Sequence, residues 1–427
     1  MAEQLKRAER PGPAVSPRIR SDVSEMLLRI ESRGEAAVRE YSRVLDRWDP
    51  PSFLVEPAAC AAAAEAVDEA LAGHIAFAQE QVRGFARAQR GALLDLEVEQ
   101  LPGVVLGHRH MPVGAVGAYV PGGRYPMLAS AFMTVLVAKE AGVGTVVACA
   151  PPRDARGIPA PMLHAIASSG ADAVLCLGGV QGLATLAFGL CGVEPVDMLV
   201  GAGNAYVAEA KRQLFGRVGI DLLAGPTEVL VLAEAGADPE LVAADLLGQA
   251  EHGPTSEAVL VTTSRALADD VLERIPALIA GWSTAEVAAE AWRDRGEVVL
   301  VADRAEAVRV ADERAPEHLE VHAADPGPYL DALRNYGSLF LGEHATVAYG
   351  DKAVGTNHVL PTGRAARYTG GLWIGKFLKT VTYQRLTAEG SARVAPAVAA
   401  IAHAEGFAGH AATAELRLRR LTAEARR

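Results

Sequence analysis

From residue 115 onward the chain repeats one pattern: a short apolar run, a tight loop and a helix-like segment. Strand candidates at 115–119, 145–150, 173–177, 198–200 and 220–222 alternate with helix candidates at 126–141, 159–169, 181–188 and 205–215. Short-looped βα alternation leads to a parallel sheet covered by helices on both faces, with ligands at the carboxyl ends of the strands. A second series follows, with strands expected at 229–233, 258–262, 298–301, 319–321 and 338–341. Its helices are expected at 239–251, 266–280, 305–314 and 326–335. The fold class is therefore α/β, with two Rossmann-like doubly wound domains. A chain of 427 residues exceeds what one hydrophobic core usually serves. Its 50% hydrophobic and only 5% aromatic content suits aliphatic strands beneath Ala-rich helices.

The flanks read differently. Residues 1–20 look like a mobile or partner-docked arm, 21–46 like a helical hairpin broken near Ser32-Arg33-Gly34, and 57–90 like one long Ala-rich helical stretch. Arg83, Arg87 and Arg90 on that stretch read as a solvated face. After Tyr349 comes a Gly-rich segment, and 372–427 reads as a helical tail. The expected division is a helical segment 1–110 packing on the second α/β domain, a nucleotide domain 111–224, a second α/β domain 225–370 and a tail 371–427.

Lys and Arg number 41 against 52 Asp and Glu, a formal charge of −11, which argues against a nucleic-acid partner. Cys60, Cys149, Cys176 and Cys191 are scattered, so neither a disulfide framework nor a thiolate metal site is indicated. The N-terminus lacks the apolar core of a signal peptide, and the uncharged run between Asp172 and Glu194 is broken by glycines as a strand, turn and helix would be. The expectation is a reduced, cytoplasmic protein with no membrane partner.

Several residues have the chemistry of a site. Asp238-Pro239 opens a helix that ends in Gln249-Ala250-Glu251-His252. Gln249 and His252 lie three apart on one helical face, where they fit either capping groups or oxygen and nitrogen ligands for a metal such as zinc. Three loops follow strands: Tyr119-Val120-Pro121-Gly122-Gly123, Gly178-Gly179-Val180-Gln181-Gly182 and Gly201-Ala202-Gly203-Asn204. They fit tight βα turns or a phosphate cradle, and none completes G-x-G-x-x-G. Glu317-His318 stands at the mouth of a strand as either a solvent-facing pair or an acid–base pair. On an extended segment the two point to opposite faces, so both reach one site only if the turn after Pro316 redirects one. Asp351 and His358 fall in the Gly-rich segment. Glu405 and His410, five apart on the tail, align only across a bend at Gly406 or Gly409.

These motifs, with Gly225-Pro226-Thr227-Glu228 and Asn357-His358-Val359-Leu360-Pro361, occur in an order that resembles the histidinol dehydrogenase family from about residue 22 to 420. The resemblance implies zinc held by Gln249, His252, Asp351 and His410, the last supplied across an intertwined homodimer with shared sites. It implies a catalytic pair, Glu317 and His318, and NAD flanked by Tyr119, Gln181 and Asn204. Thr227, His358 and Glu405 would touch substrate, together with His318 and the ligand set. The implied reaction oxidises a primary alcohol through the aldehyde to the carboxylate.

Some stretches depart from the histidine-pathway pattern and resemble a sister group that includes sulfopropanediol dehydrogenase, which converts 2,3-dihydroxypropane-1-sulfonate to sulfolactate. Gly201-Ala202-Gly203-Asn204 replaces Gly-Pro-Gly-Asn, and Arg124, Arg364 and Arg367 enter segments near the expected pocket. Guanidinium groups suit an anionic tetrahedral head group; the same residues also fit a surface or a dimer interface. The expected substrate is a small anionic or polyol alcohol, with L-histidinol as the alternative. Two rival classes remain at this stage. A metal-free dehydrogenase has no use for the four ligand candidates, and a silent binding paralogue would usually have lost one of the acid–base or ligand residues.

Overall fold

The computed structural model describes residues 2–9 and 17–424. Strand β1 (Glu3–Lys6) comes first, then the hairpin β2 (Leu96–Leu101) and β3 (Val104–Pro112). The first βα series supplies β4 (Ala115–Tyr119), β5 (Thr145–Ala150), β6 (Ala173–Cys176), β7 (Met198–Val200) and β8 (Gly219–Ile220). The second supplies β9 (Glu228–Ala233), β10 (Glu257–Thr262), β11 (Gly296–Leu300), β12 (His318–His322) and β13 (Ser338–Leu341), and β14 (Leu378–Leu386) closes the set. The α/β class expected from the alternation is what forms.

The chain divides into two compact units. Unit one, residues 1–88 and 113–377, holds two sheets. In the first, the order is β6-β5-β4-β7-β8 and every pairing is parallel. The order reverses at β4, which opens a crevice beyond the carboxyl ends of β4 and β7. In the second, the order is β1-β11-β10-β9-β12-β13, parallel except for the antiparallel edge strand β1. Unit two, residues 89–112 and 378–427, is the sheet β14-β3-β2 with the helices Ala388–Ala404 and Ala408–Glu424.

Four expectations need correction. The helices of the N-terminal segment do not pack on the second sheet: Val23, Met26, Leu27 and Ile30 of the helix Pro17–Arg33 share a core with Leu183, Leu199 and Val207 of the first sheet's layer. Only β1 joins the second sheet, so the opening residues are paired rather than a free arm; residues 10–16 lie outside the described ones. The stretch 57–90 is two helices, Pro57–Ala66 and Glu69–Gly91, because Val67 is extended and Asp68 accepts from the N–H groups of Ala70 and Leu71 as a cap. The tail is not wholly helical. Leu378–Leu386 carries the strand-favouring run Thr380-Val381-Thr382-Tyr383 and pairs antiparallel with β3 along its whole length.

Core sidedness in the second sheet follows from strand alternation. Val229, Val231 and Ala233 of β9 pack with Val242, Leu246 and Leu247 of the helix Pro239–Ala250 on one face. Leu230 and Leu232, with Leu319 and Val321 of β12, pack on the other face with Ala307 and Ala311. The odd-even rule then puts His318, Glu320 and His322 on the first face, and all three are buried there.

In the first sheet the crevice depends on Gly201, whose φ is +115° and where a Cβ would stand 2.2 Å from the Tyr119 carbonyl oxygen. Gly201 N–H donates to Asp221 at 2.7 Å, while Lys211 donates to the Gly201 carbonyl at 2.8 Å and pairs with Asp221 in the interior. Gly201→Ala is expected to lower stability by more than about 2 kcal/mol. A shift in the urea midpoint at unchanged slope would show it, and an unshifted midpoint would refute it.

Candidate active site

The helix Pro239–Ala250 begins with Asp238 capping Glu240 and a proline in its first turn. Its apolar face fixes the rotation that turns Asp245 and Gln249, four apart, toward β12. Across from it, β12 starts just after a sharp turn at Ala315, a non-glycine residue at φ +49°. That turn, with Pro316, brings Glu317 and His318 to one place: His318 Nδ1 lies 3.4 Å from Glu317 Oε2. The redirection required for both to share a site is present.

The polar contacts run in a chain. The Gln249 amide nitrogen donates to the Thr227 hydroxyl, and Thr227 donates to Glu317 Oε2. Glu228 N–H also donates to that oxygen, at 3.0 Å. His318 Nδ1–H donates to the Glu228 carbonyl at 3.0 Å, which leaves Nε2 as the ring nitrogen without a backbone partner. Nε2 is buried without a hydrogen-bond partner, 3.6 Å from Asp351 Oδ1. Asp351 sits in the short helix Val347–Lys352.

Electrostatics follow the geometry. Burial works against a charged His318, but Glu317 and Asp351 outweigh it and hold the ring's pKa well above its ordinary value. Burial opposes ionisation of Asp351, yet His318, His358 and Lys352 keep its carboxyl well below the usual carboxylate range. Half-buried His252 is lowered by desolvation, with Asp351 pulling the other way. His358 is lowered by burial as well.

Unit one thus gathers Thr227, Gln249, Glu317, His318 and Asp351, with His252 within the field of Asp351. His358 borders the group with both ring nitrogens engaged, at 2.9 Å from the Asp351 carbonyl and 2.9 Å from the Ser130 hydroxyl. Glu405 and His410 belong to unit two, exposed on either side of Gly406, whose φ of +78° provides the bend the spacing requires. The donor set of Gln249, His252 and Asp351 is an amide oxygen, an imidazole and a carboxylate, and it fits zinc. The amide nitrogen of Gln249 is taken up by Thr227, so its oxygen would be the ligating atom.

In the first sheet, Tyr119 ends β4 and its hydroxyl accepts from Gly179 N–H at 3.3 Å. Asn204 follows β7 and caps the helix Ala205–Leu214 through the N–H groups of Tyr206 and Val207. Both flank the crevice. Gln181 follows β6, held by Asp46 at 2.7 Å, with its amide oxygen buried and unpartnered. Arg124, Arg364 and Arg367 are exposed, and none pairs with a carboxylate among the described residues.

Sequence reasoning assigned no role to Glu228, although it stands in the quoted Gly225-Pro226-Thr227-Glu228 motif. Its carboxylate accepts from the N–H groups of Glu317 at 3.2 Å and Gly363 at 3.1 Å. Glu228 and Glu317 therefore bind each other's backbone reciprocally. The signal was an acid at the first position of a buried strand, a place where polar groups need partners.

A family model described as histidinol dehydrogenase matches residues 10–418. A histidinol dehydrogenase homolog of Shouchella clausii is 52% identical over 94% of this chain and 95% of its own length. A sulfopropanediol 3-dehydrogenase of Ruegeria pomeroyi is 49% identical over 97% of this chain and 96% of its own. The crystal structure of histidinol dehydrogenase from Elizabethkingia anophelis superposes with a TM-score of 0.91 at 30% identity, covering 97% of this chain and 95% of that one.

Burial, with Glu317 and Glu257 nearby, pushes the Glu228 pKa up to about 8. The folded protein then binds a proton that the unfolded chain releases near the ordinary value of 4.5. The resulting stability is full below that value and is lost as pH rises toward about 8. The expected slope approaches ~1.4 kcal/mol per pH unit within that window. Urea midpoints at several pH values should show it in the wild type and not in Glu228→Gln; equal slopes would exclude the assignment.

Proposed function

The chain belongs to the histidinol dehydrogenase family, and on that premise we propose a zinc-dependent NAD dehydrogenase that oxidises a small primary alcohol through the aldehyde to the carboxylate. The observation that carries this reading is His318: its tautomer is fixed by the Glu228 carbonyl and its open Nε2 faces Asp351. When bound, NAD accepts hydride, and zinc orients and polarises the reacting oxygen. Gln249, His252 and Asp351 would hold the zinc together with His410 of the partner subunit.

In this reading His318 Nε2 takes the alcohol proton. Flanking carboxylates make the neutral ring a strong proton acceptor, and they also move its neutral form to higher pH. Glu317 then removes a proton from the water that attacks the aldehyde; its Oε2 is aimed by Thr227 and by Glu228 N–H. Thr227 and His358, with Glu405 of the partner subunit, would complete the substrate contacts. Tyr119, Gln181 and Asn204 flank the nucleotide in a Rossmann-like first sheet, at or beside its reversal point.

For the substrate we favour a small anionic or polyol alcohol, with 2,3-dihydroxypropane-1-sulfonate, going to sulfolactate, as the leading candidate. The 49% identical sulfopropanediol relative and the unpaired Arg124, Arg364 and Arg367 support it. Two of the arginines sit on loops tied to the site's own elements. Tyr125 donates to the Glu251 carbonyl at 3.2 Å, and Gly363 N–H donates to Glu228 at 3.1 Å. The carboxyl groups of Glu317 and Asp351 at the site favour the alternative, cationic L-histidinol.

We also propose a cytoplasmic homodimer with shared sites. Unit two exposes the large apolar side chains of Leu94, Ile401 and Phe407 at 75%, 59% and 56%, which a second copy would cover. No described helix is long and apolar enough to cross a membrane.

NADH formation by zinc-loaded protein offered the sulfonate and L-histidinol in parallel separates the two substrates. Turnover of the sulfonate with near-silence on histidinol is expected, and the reverse would assign the arginines elsewhere. His318→Gln should slow alcohol oxidation by a factor on the order of 10²–10⁴ and remove an alkaline rise in kcat/KM. Glu317→Gln should abolish aldehyde oxidation while alcohol oxidation persists; aldehyde turnover at the wild-type rate would remove Glu317 from that role.

A further inference from the structure

The strand and helix that build the candidate active site carry a second polar group one step further along. Asp245 stands one turn before Gln249 on the helix, and Glu320 and His322 follow His318 on the same face of β12. His322 Nε2 lies 3.2 Å from Asp245 Oδ2 and 3.6 Å from Glu320 Oε2. The ligating atoms of all three residues fall within 4.8 Å of one another. Glu320 and His322 are 0% and 1% exposed.

These close approaches are not hydrogen bonds. Glu320 Oε2 and both ring nitrogens of His322 are buried without a hydrogen-bond partner. Each carboxylate is instead anchored by its other oxygen. Glu320 Oε1 accepts from Val347 N–H at 2.7 Å, and Asp245 Oδ1 accepts from the Thr346 hydroxyl at 2.8 Å. One oxygen of each acid and one imidazole nitrogen are left facing a common point.

A buried donor set of this kind calls for a positive charge, since isolated ionised carboxylates are costly in an apolar interior. Two carboxylates and a neutral imidazole balance a divalent cation. Donors held at ~2.0–2.2 Å around a tetrahedral zinc ion stand about 3.4 Å apart, and the two observed separations of 3.2 and 3.6 Å lie on either side of that spacing. The side chain of Asp245 keeps 15% exposure, which gives an ion a route from solvent.

We propose that Asp245, Glu320 and His322 form a second divalent-cation site for zinc or a similar nitrogen- and oxygen-binding ion, separate from the set Gln249, His252 and Asp351. The ion would tie the helix Pro239–Ala250 to β12 directly. Through Thr346 and Val347 it would also secure the start of the short helix that carries Asp351.

Metal content of the full-length chain, loaded with zinc and dialysed against metal-free buffer, tests this. His322→Gln should retain one equivalent per chain fewer than the wild type, whereas Asp351→Asn keeps the equivalent held by the triad. A wild type with one equivalent that His322→Gln abolishes would keep the second site and remove the first. One equivalent lost in Asp351→Asn and unchanged in His322→Gln would overturn the second site. If His322→Gln fails to fold, the Asp351→Asn chain decides: zinc should raise its melting midpoint by several degrees, and an unmoved midpoint overturns the proposal.

Discussion

One face of β12 dictates most of what is chemically distinctive in this protein. A strand in a parallel sheet is covered on both sides, so its residues are ordinarily aliphatic. Here Leu319 and Val321 meet that expectation on one face, while His318, Glu320 and His322 occupy the other and are buried beside the valines of β9. Such a strip is tolerable only if other elements bring partners to it. The helix Pro239–Ala250 brings Asp245 and Gln249, Glu317 and Thr227 come from the strand mouths, and the short helix Val347–Lys352 brings Asp351. The loops are arranged around the needs of three side chains.

That dependence explains why the site has reciprocal supports. Glu228 and Glu317 each accept the other's backbone N–H, which fixes two acids close together on the mouths of neighbouring strands. Like charges at that distance would repel, and protonation of Glu228 relieves the repulsion while Glu317 accepts from Thr227.

Much of this was legible in the sequence, and the failures have physical causes. Strand–helix alternation identified the sheets because each apolar run must be buried on both faces, and Asp238-Pro239 marked its helix through local capping chemistry. What could not be read was which surface an amphipathic helix meets. The apolar stripe of Pro17–Arg33 is equally suited to either sheet, and only the tertiary fold sends it to the first. Leu378–Leu386 was missed for the related reason that an edge strand needs a partner, and β3 lies far away in sequence. Glu317 and His318 could share a site only across a turn near Pro316, and the bend at Ala315 brings them within 3.4 Å. The triad Asp245, Glu320 and His322 escaped notice because its members are 75 residues or more apart on one side and two apart on the other, and neither spacing is a motif.

The substrate is less constrained than the chemistry because different parts of the chain determine them. In the proposed reaction proton transfer would rest on Glu317 and His318, which are buried at the start of a strand beside Asp351. In that reading selection among alcohols would fall to exposed loops such as those of Arg124 and Arg364, the latter at φ +66°. Loops of this kind tolerate change without disturbing the core. A family can therefore keep one oxidation and vary the head group it accepts, provided the loops remain tied to the core at points such as Gly363 on Glu228 and Tyr125 on Glu251.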